Sequence, residues 1–362
     1  MNPVRYGMID VLRGGAALLV LVYHVIEVGA WKAFPVTGLA LLARIGWVGV
    51  DLFFVISGFV IGKAAMEGAL GNAPGWRRNF AERRLRRIVP LYALTALVFV
   101  LLVNPDVLLA GWKIAAVHGV SHLFFVHNLH PATHGSINGP NWSVGLEMQF
   151  YLLALVSAGW LARTPGWKAL GLWLAVATLW RWGVAWTLAD KGSHVLHVAS
   201  SQLPGVLDQF ALGIGVARLV LSGSLRAGWW RCAGWALLAA LLLGVAWVLL
   251  FREANYWGNP AMIGSWRTVL SAGFAALVAA AVACPVGGGW LFWPLRYLGE
   301  ISYGLYLWHL PVLLTLMDKT PWRAGSLLWG TLAGTVVLAM FSWHAYEKPW
   351  LRSGPKGKAP GA

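Results

Sequence analysis

Trp230-Arg231-Cys232-Ala233-Gly234-Trp235-Ala236-Leu237-Leu238-Ala239-Ala240-Leu241-Leu242-Leu243-Gly244-Val245-Ala246-Trp247-Val248-Leu249-Leu250 is the stretch that decides the fold. From Cys232 onward it carries no charged side chain. Its length matches the run of about 20 apolar residues that a helix needs to cross a hydrocarbon core. Blocks of this kind recur about ten times along the chain, near 9–29, 46–63, 88–104, 146–162, 167–188, 205–222, 230–250, 267–284, 296–316 and 325–346. Turn-forming residues separate them: Pro35, Asn104-Pro105, Thr164-Pro165-Gly166, Asn259-Pro260, Gly287-Gly288-Gly289 and Pro321. Composition agrees. Of 362 residues, 59% are hydrophobic and 11% charged, whereas a soluble domain carries about 25% charged residues. So few charges cannot cover a water-facing surface. The 43 glycines suit close helix approach and the 24 tryptophans suit the lipid–water boundary. The sequence predicts an all-α, polytopic transmembrane helical bundle.

A net charge of +15 raises the question of nucleic acid. The basic residues flank apolar segments and form no soluble basic domain, so nucleic acid is not an expected partner. They act instead as an orientation signal and as attraction to anionic membrane lipids. Most lysines and arginines, including Arg77, Arg78, Arg83, Arg84, Arg86 and Arg87, fall on the side that also takes both ends of the chain. Both termini are therefore expected in the cytoplasm, with the protein in the cell inner membrane. The simplest division is one membrane domain, 1–350, and a short polar cytoplasmic tail, 351–362. The first apolar block holds Arg13 and His24 with Asp10 at its entrance, which suits a retained helix better than a cleaved export signal. Cys232 and Cys284 both fall near the cytoplasmic side, so no disulfide is expected.

Polar groups inside a bilayer are costly and mark functional sites. Arg13 and His24 are eleven residues apart, which on a helix places them about 20° apart in azimuth and about 16 Å apart along the axis. One face thus presents a guanidinium near the cytoplasm and an imidazole deep towards the outer half, with Asp10 one turn before Arg13. The segment from Trp76 to Tyr92 carries six arginines and no lysine, and guanidinium forks suit phosphate; a topological anchor explains the same cluster. Asn141-Trp142-Ser143-Val144-Gly145-Leu146-Glu147 opens the fourth span, with Tyr151 one turn beyond Glu147. Tyr303, Tyr306 and His309 recur every third residue on an otherwise apolar helix, a stripe that can also simply bridge helices. The outer loop, Pro105 to Gly145, holds His118, His122, His127, His130 and His134. Their irregular spacing and the absence of cysteine argue against zinc, and no metal is expected.

Read in order, these motifs resemble the acyltransferase-3 family of membrane O-acyltransferases, which modify cell-surface polysaccharides and related glycosides. The resemblance runs through Asp10-x-x-Arg13-x10-His24, then Gly46-Trp47-Val48-Gly49-Val50-Asp51-Leu52-Phe53-Phe54-Val55-Ile56-Ser57-Gly58-Phe59. It continues through Arg83-Arg84-x-x-Arg87-Ile88-x-Pro90-x-Tyr92 and Asn141-Trp142-Ser143 with Glu147 and Phe150-Tyr151. It closes on Tyr303-x-x-Tyr306-Leu307-x-His309-x-Pro311 and Glu347-Lys348-Pro349. With no esterase-like domain after the last helix, the chain looks like a stand-alone member.

The resemblance implies an acyl-coenzyme A donor, usually acetyl-CoA, used as a co-substrate rather than a bound cofactor. It also implies an active site at Arg13 and His24, and a role for Arg84 and Arg87, with Arg83 beside them, in donor use. The expected acceptor is a hydroxyl of a saccharide or lipid-linked glycan of the cell envelope. Histidine is the natural base for that hydroxyl, with Glu147 orienting either the imidazole or the sugar. Asp51, Ser57, Trp142, Ser143, Tyr151, Tyr306 and His309 are the further polar candidates. Ser57 or His24 could instead carry the acyl group covalently. The alternative class is a proton-coupled secondary transporter, because the same intramembrane residues build proton relays; no inverted repeat is visible. Sequence leaves the oligomeric state open.

Overall fold

The computed structural model describes residues 6–38, 40–253, 255–285 and 289–352. Arg5, most of the Gly287-Gly288-Gly289 break and the tail from Ser353 lie outside the described residues. The principal helices are α1 (Gly7–Val28), α2 (Gly49–Gly71), α3 (Trp76–Val98), α4 (Asn141–Arg163), α5 (Gly166–Thr187) and α6 (Leu203–Leu221). They continue as α7 (Trp229–Arg252), α8 (Arg267–Ala283), α9 (Trp293–Glu300), α10 (Ser302–Lys319) and α11 (Ala324–Ser342). No strand occurs among the described residues, and the fold is an all-α helical bundle. Helix stands at each of the ten expected spans. Eight helical segments are long and apolar enough to cross a membrane. The two expected spans outside this set are those of α5 and α10.

The described residues fall into two units. The first draws on Met1–Gly49, Ala73–Gly111 and Gly287–Ala362. Within it α1 packs on α9 and α10, and α10 on α11. The α1–α9 contact is a backbone approach. A Cβ on Gly14 would collide with the Leu295 carbonyl, and one on Gly299 with the Asp10 carbonyl. Leu21, Val25, Leu310, Leu313 and Leu327 close the apolar centre between α1, α10 and α11.

The second unit draws on Val50–Asn72 and Trp112–Val286. There α5 packs on α6, α6 on α8, and α8 on α7. Gly58 and Gly213 let α2 and α6 meet, since a Cβ on either would strike the backbone of the other helix. Along α7 the side chains of Leu237, Leu241, Val245 and Val248 are exposed, with only Ala239 and Ala246 buried. A leucine-rich helix bare on most of its surface needs lipid around it. Cys232 and Cys284 are free thiols in side-chain contact.

Several helices run beyond the blocks read from sequence, the second to Gly71 rather than 63 and the fourth from Asn141 rather than 146, and two further boundaries differ more. The third span begins not at 88 but at Trp76, so the arginine cluster forms the first turns of α3. Arginine, glutamate and leucine are good helix formers, and Glu82 pairs with Arg86 one turn on at 3.0 Å. The block near 296–316 is broken at Ile301 into α9 and α10.

Candidate active site

In the first unit the polar side chains gather where α1 and α10 meet. His24 Nδ1 lies 2.8 Å from the Val20 carbonyl one turn earlier and 3.3 Å from His309 Nε2. The two rings are 4.8 Å apart between centroids. His309 is buried, and the Tyr306 ring sits 5.8 Å from it. Tyr303, Tyr306 and His309 are all buried, as is every residue from Ile301 to Pro311, so this stretch of α10 is enclosed on all sides and the three-residue spacing selects no inner face. Tyr303 donates to the Ile88 carbonyl of α3 at 2.9 Å, so it has the helix-bridging role. Arg13 stands on the same helix as His24, within electrostatic reach of Glu347. Asp10 lies beside Gly299 on the α1–α9 seam.

The arginines of α3 are not equivalent. Arg87 donates to Glu347 Oε2 at 2.9 Å, and its guanidinium lies over Tyr303 at 5.6 Å and Trp343 at 5.0 Å. Glu347 is itself buried and reached by the Ser342 hydroxyl. This arrangement clasps α3 to the chain end of the unit and explains the glutamate of the terminal motif. Arg84 is half-buried over the Phe80 ring, and Arg83 is exposed.

In the second unit Glu147 Oε1 accepts from Ser57 Oγ at 3.1 Å and from the Tyr151 hydroxyl at 2.5 Å. Three of the sequence candidates thus form one cluster, with Ser57 supplied by α2 and the other two by α4. Asp51 accepts from Gln209 Nε2 at 2.7 Å and lies 3.7 Å from Arg267 Nε. Ser143 donates to the Pro140 carbonyl at 3.1 Å, which gives it a local role at the start of α4. Trp142 is half-buried, stacked on His134 at 5.3 Å and edge-on to His197 at 5.5 Å.

His197 was not singled out by sequence reading, and neither was the pair that anchors this unit. Arg181 and Asp208 are fully buried. Arg181 donates to Asp208 Oδ1 and Oδ2 at 3.1 and 2.9 Å, to Thr268 Oγ1 at 2.6 Å, and to the Gly264 and Gly205 carbonyls at 3.0 and 2.6 Å. A guanidinium has five N–H donors, so every one is used. Thr268 in turn donates to Asp208 at 2.7 Å. The signal available in the sequence was an ionisable residue inside each of two apolar spans.

Burial pushes the imidazoles of the connecting segments down: His122, His127 and His134 to about 4, and His197 to about 3. The Arg267 guanidinium adds to the effect at His197. These rings are neutral around neutral pH. Below about pH 6.5 an unfolded chain takes up protons at these positions, while the folded one does not until about pH 4. Acid therefore favours the unfolded state, and stability is lost as pH falls through that window. The detergent-solubilised protein is expected to melt at a lower temperature near pH 5 than near pH 7. In His122→Phe, which keeps the stack on His127 (4.0 Å) and removes one titrating ring, the loss should be smaller. Equal melting temperatures at the two pH values contradict this reading. Among the described residues no group of three or more His, Cys, Asp or Glu is arranged to hold a metal ion.

Apolar helices that place an imidazole pair in one unit and a carboxylate–hydroxyl cluster in the other define a polytopic membrane protein with polar groups in its interior. Residues 6–346 match the family described as the acyltransferase domain. The chain belongs to the acyltransferase-3 family and is an integral-membrane acyltransferase. It is 29% identical over 362 residues to the putative membrane-bound transacylase BcsY of Komagataeibacter xylinus, covering 95% of this chain and 82% of that one. It is 26% identical over 369 residues to the peptidoglycan O-acetyltransferase OatA of Listeria monocytogenes, covering 96% of this chain and 56% of that one. To nodulation protein 10 of Rhizobium leguminosarum it is 26% identical over 334 residues, covering 84% and 82%. The chain thus spans little more than half the length of OatA. No solved structure matches it.

Proposed function

We propose that this protein moves an acyl group, in the simplest case acetyl, from cytoplasmic acyl-CoA to a hydroxyl of a cell-envelope saccharide or glycolipid. The observation that carries the reading is the imidazole of His24, held on α1 by a backbone carbonyl and a second histidine, on the helix that also bears Arg13. The relatives support an oxygen acceptor: one is named for O-acetylation of peptidoglycan. In this scheme His24 takes the acceptor hydroxyl proton as that oxygen attacks the thioester carbonyl. The tetrahedral intermediate collapses, the carbon–sulfur bond breaks, and the proton passes to the departing coenzyme A sulfur. Arg13, about 16 Å nearer the cytoplasm on the same helix, supplies positive charge to the donor. The charge asymmetry supports a cytoplasmic location for both termini and for donor entry, in the inner membrane.

Within the arginine cluster, Arg84 and Arg83 are assigned to donor phosphates, and Arg87 to holding Glu347. Arg84→Ala is expected to weaken coenzyme A binding to the purified protein by about tenfold, the worth of one charge-assisted contact. Arg87→Ala is expected to lower thermal stability as well, because it strands a buried carboxylate. Unchanged coenzyme A affinity in Arg84→Ala would leave the cluster as a topological anchor only.

A further inference from the structure

The protons of the His24–His309 pair can be counted. His24 Nδ1 lies 2.8 Å from the Val20 carbonyl oxygen. A carbonyl only accepts, so Nδ1 carries the proton. A nitrogen so occupied has no lone pair for a second donor. His309 Nε2, 3.3 Å away, therefore faces an N–H and must present a lone pair. The proton of His309 then sits on its Nδ1, where the backbone of Tyr306 and Leu305 takes it up. In its neutral form each ring is thus held in one tautomer, and the lone-pair Nε2 of His24 has no hydrogen-bond partner among the described residues.

We propose that His309 is a positioning residue: it fixes His24 as the Nδ1–H tautomer, so that Nε2 is the atom that takes the acceptor hydroxyl proton. This rests on the reading of His24 as the base of the transfer. When Nε2 gains its proton, the ring becomes an imidazolium whose Nδ1–H already points between a carbonyl and the His309 lone pair. Both partners are dipoles, so the transient charge is met without a permanent carboxylate beside it. This is the orienting role that the third member of a catalytic triad plays for its histidine, here filled by a neutral imidazole. The burial of His309 (1% exposed) keeps water from competing for the same N–H. The helix α10 supplies rigidity, since its preceding residues Tyr303 and Tyr306 are themselves packed.

The test is steady-state kinetics of the full chain in membrane vesicles of the cells that make it, with acetyl-CoA supplied and release of the coenzyme A thiol followed. In His309→Phe, kcat is expected to fall about 100-fold, within the usual worth of general-base assistance, with KM for acetyl-CoA unchanged. In His309→Gln, whose amide oxygen falls where Nε2 was and still accepts, most of kcat should return. Wild-type kcat in His309→Phe overturns the proposal. So does a His309→Gln variant as slow as His309→Phe while both are inserted in normal amounts, because a purely packing role predicts that pattern. His24→Ala run alongside separates the two levels of the argument. If it retains full turnover, the base itself is wrong; if it is inactive while His309→Phe is fully active, only the positioning role fails.

Discussion

His24→Ala is expected to abolish acyl transfer while leaving the protein inserted and folded. General-base assistance contributes about 10²- to 10⁴-fold, and no other imidazole in the first unit takes the place of His24 in this scheme. Folding should survive because the packed face of α1 is built from Ile9, Ala16, Ala17, Val20, Leu21 and Val25. His24 itself is half-buried, and its hydrogen bond to Val20 is local to the helix. Turnover per molecule of inserted protein is the quantity to measure, with size-exclusion behaviour in detergent as the control. A monodisperse variant with wild-type turnover removes His24 from the chemistry.

The largest effect on stability is expected at Asp208. Asp208→Ala leaves the Arg181 guanidinium fully buried with two of its five contacts gone and strips Thr268 of its acceptor. The backbone N–H of Gln209 also loses the partner it had at 3.0 Å. Breaking one side of a buried ion pair costs about 3–5 kcal/mol, because the surviving charge is left uncompensated. The pair contributes less than that cost suggests, since both charges were desolvated to form it. The double variant Asp208→Ala/Arg181→Leu is therefore expected to be more stable than Asp208→Ala alone. Thermal unfolding of the three proteins in one detergent reads this directly. A single variant as stable as wild type would mean that the interior there is wetter than the network implies.

The helical bundle was legible because hydrocarbon tolerates so few charges that uninterrupted apolar blocks mark the spans. The Trp230–Leu250 block is the clearest instance, and α7 follows it closely. The start of α3 was less legible. A run of arginines reads as a loop by hydropathy, yet it continues a helix by propensity. The polar candidates were visible one by one, and Tyr151 beside Glu147 followed from helical spacing, but partners on other helices were not visible. Nothing in the sequence ties His309 to His24 across 285 residues, or Ser57 to Glu147 across 90. Helical spacing fixes which residues share a face of one helix and says nothing of which helix that face meets. Arg181 and Asp208 were the missed opportunity, since opposite charges in two apolar spans predict a pair.

The account turns on transfer from a cytoplasmic thioester to an envelope hydroxyl, and sealed membrane vesicles test it most directly. Inside-out vesicles containing the protein would be given acetyl-CoA labelled in its acetyl group, and the envelope glycans then analysed by mass and label. The predicted result is an added acetyl ester on glycan, matched by released coenzyme A, absent with His24→Ala and absent from intact right-side-out vesicles. Unmodified glycan alongside unspent acetyl-CoA, or equal labelling from both vesicle orientations, would contradict it.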